Sequence, residues 1–322
     1  MPKNNVLTVI AADLHISEDR RYADTANLLM YILEQISRVL PKYFIILGDI
    51  FDKRRPSPRE LRLLNKWLLQ MLERVENVIL LEGNHDLDRD VSALSYLQDL
   101  VVPGVQIVRP PFKLNGFYFD HLQLVGALAD NGIALNEGKV LSKVIEDNPD
   151  CHTFAFGHLH KPQVLQEKPL AFYAGSLDKI SFAEVDDKKR LWVFDGDELQ
   201  SCIDLPTRPM YQYNQQVVEG VDLETPWNNI DVSGAMIKIV FSGTREVLKT
   251  VDSARIHKDL VDRGVFSLKI VFDVTNKSVP RNEIINESVT EQAALEEYFK
   301  DHFDKALLVA KGLQLIKEIV SE

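Results

Sequence analysis

Four short motifs rich in histidine, aspartate and asparagine occur in the first half of the chain. In order they are Asp13-x-His15, Gly48-Asp49-x-x-Asp52, Gly83-Asn84-His85-Asp86 and Gly157-His158-x-His160. Each follows a short apolar run of the kind that predicts a buried β-strand. A single Asp or His after a strand has a capping or surface role about as often as a functional one. Four such motifs in one chain predict a shared site.

Imidazole nitrogens combined with carboxylate oxygens suit divalent metals such as Mn²⁺, Fe²⁺ or Zn²⁺. A carboxylate has two oxygens and can bridge two ions, and Asp49, which is central in the order of the motifs, is the natural bridge. Two adjacent cations would stabilise negative charge on a phosphoryl group and lower the pKa of a bound water. The motifs therefore predict a two-metal centre that hydrolyses phosphate esters.

The elements that position these motifs alternate between strands and helices. Apolar runs predict strands over about 5–12, 43–47 and 78–81. A helix is predicted over about 22–39, ended by Pro41, and a second opens at the capping-box sequence Ser57-Pro58-Arg59-Glu60. Repeated strand, polar loop and helix predict an α/β fold with its functional loops at the carboxyl ends of the strands.

The character of the chain changes after about Leu205, where Pro206 and Pro209 indicate a linker. Beyond it, strands near 236–241 and 266–272 flank a helix predicted over about 245–263, which together predict a small βαβ-like unit. We therefore predict three domains, over 1–205, 206–285 and 286–322.

The last predicted domain is helical from about residue 290 to 320 and carries a heptad-like apolar seam. The seam could pack onto the small domain or dock on a partner's coiled coil. Gly312 weakens a free-standing coiled coil and leaves both interpretations open.

The formal net charge of −11 argues against binding of nucleic acid through a uniformly basic surface. Any DNA binding would be local or shared with a partner. Lys53, Arg54 and Arg55 follow the second motif and are candidate DNA-binding residues, although a solvated basic loop explains them equally well. No apolar run is long enough for a membrane span, and the N-terminus lacks a signal sequence, which predicts a cytoplasmic protein.

The four motifs resemble those of the calcineurin-like metallophosphoesterases. The segments Gly157–Gln163 and Tyr173–Leu177, with Phe182-Ala183-Glu184 after them, are similar to SbcD-type nuclease subunits, which process DNA ends in double-strand-break repair. The resemblance covers about residues 6–195. It implies a four-layer α-β-β-α sandwich with a small α/β capping domain and a C-terminal helix.

The resemblance also implies roles for individual residues. One metal would be held by Asp13, His15, Asp49 and His160. The second would be held by Asp49, Asn84, His158 and one further histidine. His85 would act on the leaving oxygen as a catalytic residue, and Asp52 would orient it through a hydrogen bond. Asp86 would cap the following turn.

The further histidine is where this sequence departs from the family. His121, which starts a segment similar to the family's His-led segment, is the first candidate, although the stretch from Asp86 to His121 is short. His152 is a rival, but it would start the strand that leads to His158 and so lie at its wrong end, because a strand rises about 3.3 Å per residue. A shifted or absent ligand is the third possibility.

The function that the resemblance implies is a DNA nuclease with two divalent metal ions, Mn²⁺, and with 3′-5′ double-strand exonuclease and single-strand endonuclease activity. Its partners would be DNA and an SbcC-type ABC ATPase with a coiled coil, in a heterotetramer that contains a nuclease homodimer. A phosphatase or small-molecule phosphodiesterase of the same superfamily is the alternative. A non-catalytic scaffold is a third hypothesis, weakened because each motif keeps chemically competent residues.

Overall fold

The computed structural model describes residues 6–89, 91–99, 103–275, 292, 295, 296, 299 and 305–320. The first part of the chain folds into β1 (Leu7–Ala11), α1 (Tyr22–Val39), β2 (Tyr43–Ile46), α2 (Pro58–Leu72) and β3 (Asn77–Leu81). It continues with β4 (Leu87–Asp88), β5 (Val91–Ser92), α3 (Ser95–Asp99), β6 (Val105–Val108), β7 (Phe112–Leu114) and β8 (Phe117–His121). Then follow α4 (Leu141–Glu146), β9 (Thr153–Gly157), β10 (Gln163–Glu167), β11 (Leu170–Tyr173), β12 (Arg190–Asp195) and β13 (Glu198–Asp204).

Two sheets carry most of these strands. The six-stranded sheet has the order β13-β12-β1-β2-β3-β6, and the five-stranded sheet has the order β10-β11-β9-β8-β7. Within the first, β1, β2, β3 and β6 run parallel. Within the second, β8, β9 and β11 run parallel. The carboxyl ends of these parallel strands are where the sequence places the four motifs.

The two sheets pack face to face. Because successive side chains of a strand point to opposite faces, each central strand contributes to two cores. Ile10 and Ala12 belong to the core between the sheets, together with Phe119 and Phe172 of the five-stranded sheet. Val9 belongs to the outer core, which α1 and α2 cover. The outer face of the five-stranded sheet packs against residues of the segment between β8 and β9, which includes α4. The predicted layered α/β fold is confirmed, with a fourth layer made of one short helix and irregular chain.

Local sequence signals explain where the two long helices begin and end. The Ser57 side chain accepts a hydrogen bond from the Glu60 backbone N–H, and the Glu60 side chain accepts one from the Ser57 backbone N–H, so the predicted capping box is present. Leu40 takes a left-handed conformation and ends α1 directly before Pro41. Both boundaries agree with the predictions from sequence.

The C-terminal part contains β14 (Met210–Gln216), β15 (Met236–Gly243), α5 (Arg245–Leu248), α6 (Ser253–Asp262), β16 (Ser267–Val274) and α7 (Lys305–Val320). The single helix predicted over 245–263 is wrong, because the chain forms two helices there. The Asp252 side chain accepts a hydrogen bond from the Arg255 backbone N–H at 2.9 Å and so starts α6 as an N-cap. β14, β15 and β16 form a three-stranded sheet in that order.

By its contacts the chain divides into two compact units. Among the described residues, the first comprises those up to 212 with 231–238 and 261–268, and the second comprises 213–230, 239–260 and those after 268. The three predicted domains stay a prediction. The first half of the predicted C-terminal helical segment lies largely outside the described residues. Among the described helices, none combines the length and apolar character that crossing a membrane requires.

Candidate metal centre

The four motifs meet at one place because the strands before them are parallel. Asp13 and His15 follow β1, Asp49 and Asp52 follow β2, and Asn84 and His85 follow β3. His158 and His160 follow β9 in the other sheet, and Gly157 lies opposite His121, the last residue of β8. The same edge of both sheets therefore presents every predicted ligand.

The backbone at this edge has an unusual conformation. Asp13, His15 and Asp49 have φ values of 50°, 48° and 50°, in the left-handed region that non-glycine residues rarely adopt. Each such residue costs about 1–3 kcal/mol, and such residues concentrate at functional sites. Two backbone hydrogen bonds hold the loops: the Asp13 N–H donates to the Gly48 carbonyl at 3.1 Å, and the His15 N–H donates to the Asp49 carbonyl at 2.9 Å.

Two motif glycines allow these loops to approach each other. A β-carbon at Gly83 would collide with the carboxylate and backbone nitrogen of Asp49. A β-carbon at Gly157 would collide with the carbonyl of Leu47. Only glycine fits such close backbone contacts, so these motifs begin with it for a packing reason.

The first donor set consists of Asp13, His15, Asp49 and His160. The Nε2 atoms of His15 and His160 face each other at 3.1 Å, and His15 Nε2 lies 3.8 Å from Asp49 Oδ2. Donor atoms of Asp13, His15 and Asp49 all lie within 4.8 Å of one another. Asp13 also accepts the His158 backbone N–H at 3.0 Å, which joins the first motif to the last.

The second donor set consists of Asp49, Asn84, His121 and His158. Asn84 Oδ1 lies 3.1 Å from His121 Nε2 and 3.0 Å from His158 Nδ1, and His121 Nε2 lies 3.3 Å from Asp49 Oδ2. His152 is exposed and directly precedes β9, at the opposite end of that strand from His158. Of the two candidates for the further histidine, the structure brings His121 to the cluster and leaves His152 away from it.

The hydrogen bonds of the histidine rings favour metal binding. His121 Nδ1 lies 2.8 Å from the Leu47 carbonyl, which can only accept, so Nδ1 carries a proton and Nε2 is the nitrogen that would bind a metal. Asp49 Oδ2 lies next to both donor sets, 3.8 Å from His15 Nε2 and 3.3 Å from His121 Nε2, while Asp49 Oδ1 accepts the His85 backbone N–H at 2.8 Å. Imidazole, carboxylate and amide donors in two sets that share one carboxylate fit two divalent cations.

Electrostatics within the cluster follow from burial and opposite charge. Burial alone would raise the pKa of Asp49, but the hydrogen bond and charge of His121, followed by the charge of His15, lower it to about 2. Burial alone would lower the pKa of His121, but the hydrogen bond that it donates to Asp49 and the charges of Asp13 and Asp49 raise it to about 9. Burial raises the pKa of Asp13, and the charge of Asp49 adds to that rise. The site concentrates negative charge, which attracts cations.

His85 is half-buried, and its ring centroid lies 5.0 Å from that of His15 in the first donor set. Its Nδ1 lies 2.8 Å from the backbone carbonyl of Asp52, so the predicted hydrogen bond to Asp52 goes to the main chain and not to the carboxylate. That carboxylate pairs with Arg20 and lies 3.6 Å from His15 Nδ1. The nearby His15 ring and the ion pair with Arg20 lower the pKa of Asp52. Asp52 therefore contacts His85 through its backbone and His15 through its side chain.

The sequence analysis predicted that Asp86 caps the following turn, but its side chain has other partners. Its buried carboxylate accepts backbone N–H groups from Ile50, Phe51 and Gly83 at 3.0–3.1 Å. Because it is buried, its side chain turns inward and ties the loop after β2 to the loop after β3. It holds the bridging Asp49 loop against the Asn84 loop.

The sequence analysis assigned no role to three residues at this site. Asp130 Oδ2 and Glu184 Oε1 lie 3.1 Å and 3.6 Å from His160 Nδ1, and Arg20 pairs with Asp52. Glu184 had a visible signal, because Ser181-x-x-Glu184 is a capping-box pattern, and that box forms. The turn-forming sequence Ala129-Asp130-Asn131-Gly132 gave no indication of chemistry.

The proposed DNA-binding residues are exposed, but two of them have acidic partners. Lys53 pairs with Asp19, and Arg55 pairs with Asp88 at 2.7 Å. Arg54 is exposed and forms no ion pair within the described ranges. Exposed ion pairs contribute about 0–1 kcal/mol, so a phosphate could displace them at low cost.

Part of this chain is similar to known proteins. The family described as calcineurin-like phosphoesterase matches residues 7–162. The DNA double-strand break repair protein Mre11 of Archaeoglobus fulgidus is 23% identical, over 54% of this chain and 50% of that protein, so this chain spans about half the length of that relative. The crystal structure of Pseudomonas putida nuclease MPE is 20% identical, covers 58% of this chain and 86% of its own, and has a TM-score of 0.33.

The matched range contains all four motifs and both donor sets. Each donor set combines the nitrogen and oxygen ligands that divalent metals prefer, and the geometry brings the sets to one carboxylate, Asp49. Residues 7–162 of this chain therefore form a calcineurin-like phosphoesterase domain, a metal-binding hydrolase of phosphate esters.

Proposed function

We propose that this chain is a DNA nuclease that cleaves phosphodiester bonds at a centre of two Mn²⁺ ions. The observation that carries the proposal is the pair of donor sets sharing Asp49, with the half-exposed His85 beside them. The similarity to an archaeal DNA double-strand break repair protein supports DNA as the substrate. Because the match covers only half of that relative, its activity is carried over here as a proposal.

Asp13, His15, Asp49 and His160 would hold one ion, and Asp49, Asn84, His121 and His158 would hold the other. When bound, such ions neutralise charge on the phosphoryl group and make a bound water more acidic. The remaining chemistry comes from the protein. The hydrogen bond to the Asp52 carbonyl leaves the Nε2 atom of His85 available to hold or deliver a proton at the leaving oxygen.

Access to the site also suits a polymer. Asn84 is exposed, and His85 and His158 are half-exposed, so the outer side of the second donor set faces solvent. Arg54 lies on the loop that carries Asp52 and could contact a phosphate next to the one being cleaved. We extend the proposal to double-strand 3′-5′ exonuclease and single-strand endonuclease activity.

The acidic character of the chain is the reason to include a partner. With a net charge of −11, the protein gains little affinity for DNA from its overall charge. We propose that a homodimer of this chain works in a heterotetramer with an SbcC-type ABC ATPase that has a coiled coil. In this proposal residues 1–205 cut, 206–285 recognise DNA, and 286–322 dock the ATPase.

The test compares three substrates with the full-length chain and Mn²⁺: linear duplex DNA labelled at its 5′ end, a chromogenic phosphodiester and a chromogenic phosphomonoester. We expect shortening of the DNA from its 3′ ends, hydrolysis of the diester, competition between DNA and the diester, and loss of all these activities in His85→Gln. The matched control is His152→Gln, which replaces an exposed histidine outside the cluster and should keep full activity.

A phosphatase of the same superfamily would give a different result. It would hydrolyse the monoester faster than the diester, and excess linear duplex DNA would not inhibit it. That outcome would overturn the nuclease proposal and leave the assignment of the hydrolase domain intact.

A further inference from the structure

The segment between β8 and β9 links one ligand of the cluster to the back of another. It begins directly after His121 and turns back on itself at Ala129, whose N–H donates to the Ile133 carbonyl at 2.9 Å. Two further backbone bonds, from Gly126 to Leu135 and from Leu135 to Ala127, hold its two arms together at 2.8–2.9 Å. Asp130 occupies the tip of this hairpin-like segment.

The tip reaches the side of His160 that faces away from the donor set. His160 Nε2 faces His15 at 3.1 Å, while its Nδ1 lies 3.1 Å from Asp130 Oδ2. The contact is an ion-pair distance and not a hydrogen bond of ordinary geometry, because His160 Nδ1 is buried without a hydrogen-bond partner. A carboxylate at this position would still favour the proton on Nδ1 and leave the Nε2 lone pair for a metal. Glu184 lies on the same side, at 3.6 Å.

Gln163 holds the segment in place. Its side-chain oxygen accepts the Leu128 N–H at 2.8 Å, and its side-chain nitrogen donates to the Leu128 carbonyl at 2.7 Å. Gln163 is only three residues after His160. One short stretch of chain therefore carries both the predicted metal ligand, His160, and the residue that hydrogen-bonds to the loop of Asp130. Leu124 and Ala127 anchor the base of the loop in the adjoining core.

We propose that Asp130 is a positioning residue of the metal centre, which orients His160 and strengthens its donation through Nε2, and that Gln163 keeps Asp130 within reach. The proposal rests on the proposed two-metal function and assigns a distinct role within it. Carboxylates hydrogen-bonded to metal-ligating histidines change metal affinity by about 10- to 100-fold when they are replaced.

Asp130 can be replaced with less disturbance than Glu184. Glu184 is fully buried and pairs with the buried Lys189 at 2.7 Å, and Lys189 also donates to the His160 carbonyl at 2.7 Å. Removing Glu184 would leave the buried Lys189 with only the longer ion-pair contact to Asp187 at 3.4 Å, and breaking a buried ion pair destabilises a fold strongly. Asp130 is partly exposed, so its loss leaves no buried charge unpaired.

The experiment titrates metal-free full-length protein with Mn²⁺ by calorimetry, for the wild type, Asp130→Asn, Asp130→Glu and Gln163→Leu. We expect two ions per wild-type chain. In Asp130→Asn one of the two ions should bind about 10- to 100-fold more weakly and the other should be unchanged. Asp130→Glu, which restores a carboxylate, should recover part of the affinity, and Gln163→Leu should weaken the same ion by a smaller factor.

The control is Asp147→Asn, which replaces an exposed aspartate paired with Lys143 on α4 and should leave both affinities unchanged. Thermal unfolding of each metal-free variant shows whether the fold is intact. If Asp130→Asn folds and binds both ions as the wild type does, the positioning role is wrong. Should Asp130→Asn fail to fold, unchanged affinities in Gln163→Leu would overturn the proposal instead. Wild-type chain that binds two ions but does not cut DNA would contradict the nuclease proposal alone.

Discussion

The two donor sets share Asp49 but differ in the groups that contact the outer ring nitrogens of their histidines, the nitrogens that face away from the donor atoms. In the first set, carboxylates lie behind both rings: Asp52 lies 3.6 Å from His15 Nδ1, and Asp130 and Glu184 face His160 Nδ1. In the second set, a neutral oxygen, the Leu47 carbonyl, contacts the Nδ1 atom of His121 instead.

This difference predicts that the two sets bind their ions with different affinity. A carboxylate behind an imidazole makes it a stronger donor than a backbone carbonyl does. The first set is also more deeply buried, since Asp13 and His15 are buried whereas Asn84 is exposed. We therefore expect the first set to retain its ion and the second to exchange its ion with solvent, next to the side where DNA would enter.

Replacement of the shared ligand should have the largest effect. Asp49→Asn removes a negative charge from both sets, so both ions should be lost and cleavage with them. Asp13→Asn should weaken only the ion of the first set. Elemental analysis of dialysed protein measures the difference. Two metals per chain retained in Asp49→Asn would show that the bridge lies elsewhere.

His85→Gln should abolish cleavage and leave both ions in place, because His85 belongs to neither set. The loss of a general acid typically costs about 10²- to 10⁴-fold in rate. Single-turnover cleavage of linear DNA and elemental analysis on the same preparation test this. Loss of both metals in this variant would make His85 a ligand and contradict its assigned role.

Asp52→Asn is the informative comparison for His85. His85 donates its orienting hydrogen bond to the backbone carbonyl of residue 52, which Asp52→Asn keeps. The rate should therefore fall much less than in His85→Gln. An equal fall in both variants would mean that the Asp52 carboxylate itself takes part in catalysis.

Replacing His121 or His152 tests which of the two histidines belongs to the second donor set, and the expected effect is on the affinity for one ion. His121→Gln should weaken the ion of the second set and spare that of the first, whereas His152→Gln should change neither, because His152 lies at the opposite end of β9. Stepwise Mn²⁺ titration distinguishes these outcomes. A weakened ion in His152→Gln would reverse the assignment.

Removal of the C-terminal segment should leave the chemistry of small substrates unchanged. Both donor sets lie before residue 161, so a chain ending near residue 290 should hydrolyse a chromogenic phosphodiester at the wild-type rate. With the proposed ATPase present, processing of long DNA should fall, because the partner would supply the basic surface that this acidic chain lacks. Unchanged affinity of the truncated chain for the ATPase would assign the helix to internal packing.

One contact concerns whether the C-terminal helix packs within the chain or docks on a partner. Gly312 of α7 lies against Leu295, and a β-carbon at Gly312 would press on the Leu295 side chain at 2.9 Å. The glycine therefore has a packing role within this part of the chain. Docking on a partner stays a prediction, because most of the segment before α7 is outside the described residues.

Much of the phosphoesterase domain could be predicted from the sequence because its signals are local. Apolar runs that end at Asp, Asn or His predicted the strands of the site, and the Ser57–Glu60 pattern predicted the start of α2. The error at 245–263 was also local, since Asp252 caps a new helix inside a run with helical periodicity. A capping residue can outweigh periodicity where helices are short.

The sequence by itself determined which residue types could bind metal and that they follow strands, because both properties belong to short stretches of chain. The choice of His121 depended on the pairing of β8 with β9, which places His121 opposite Gly157. The contact of Asp130 with His160 depended on a loop that no periodicity describes. Only the tertiary structure decided these partners, because register and loop packing join residues that lie far apart along the chain.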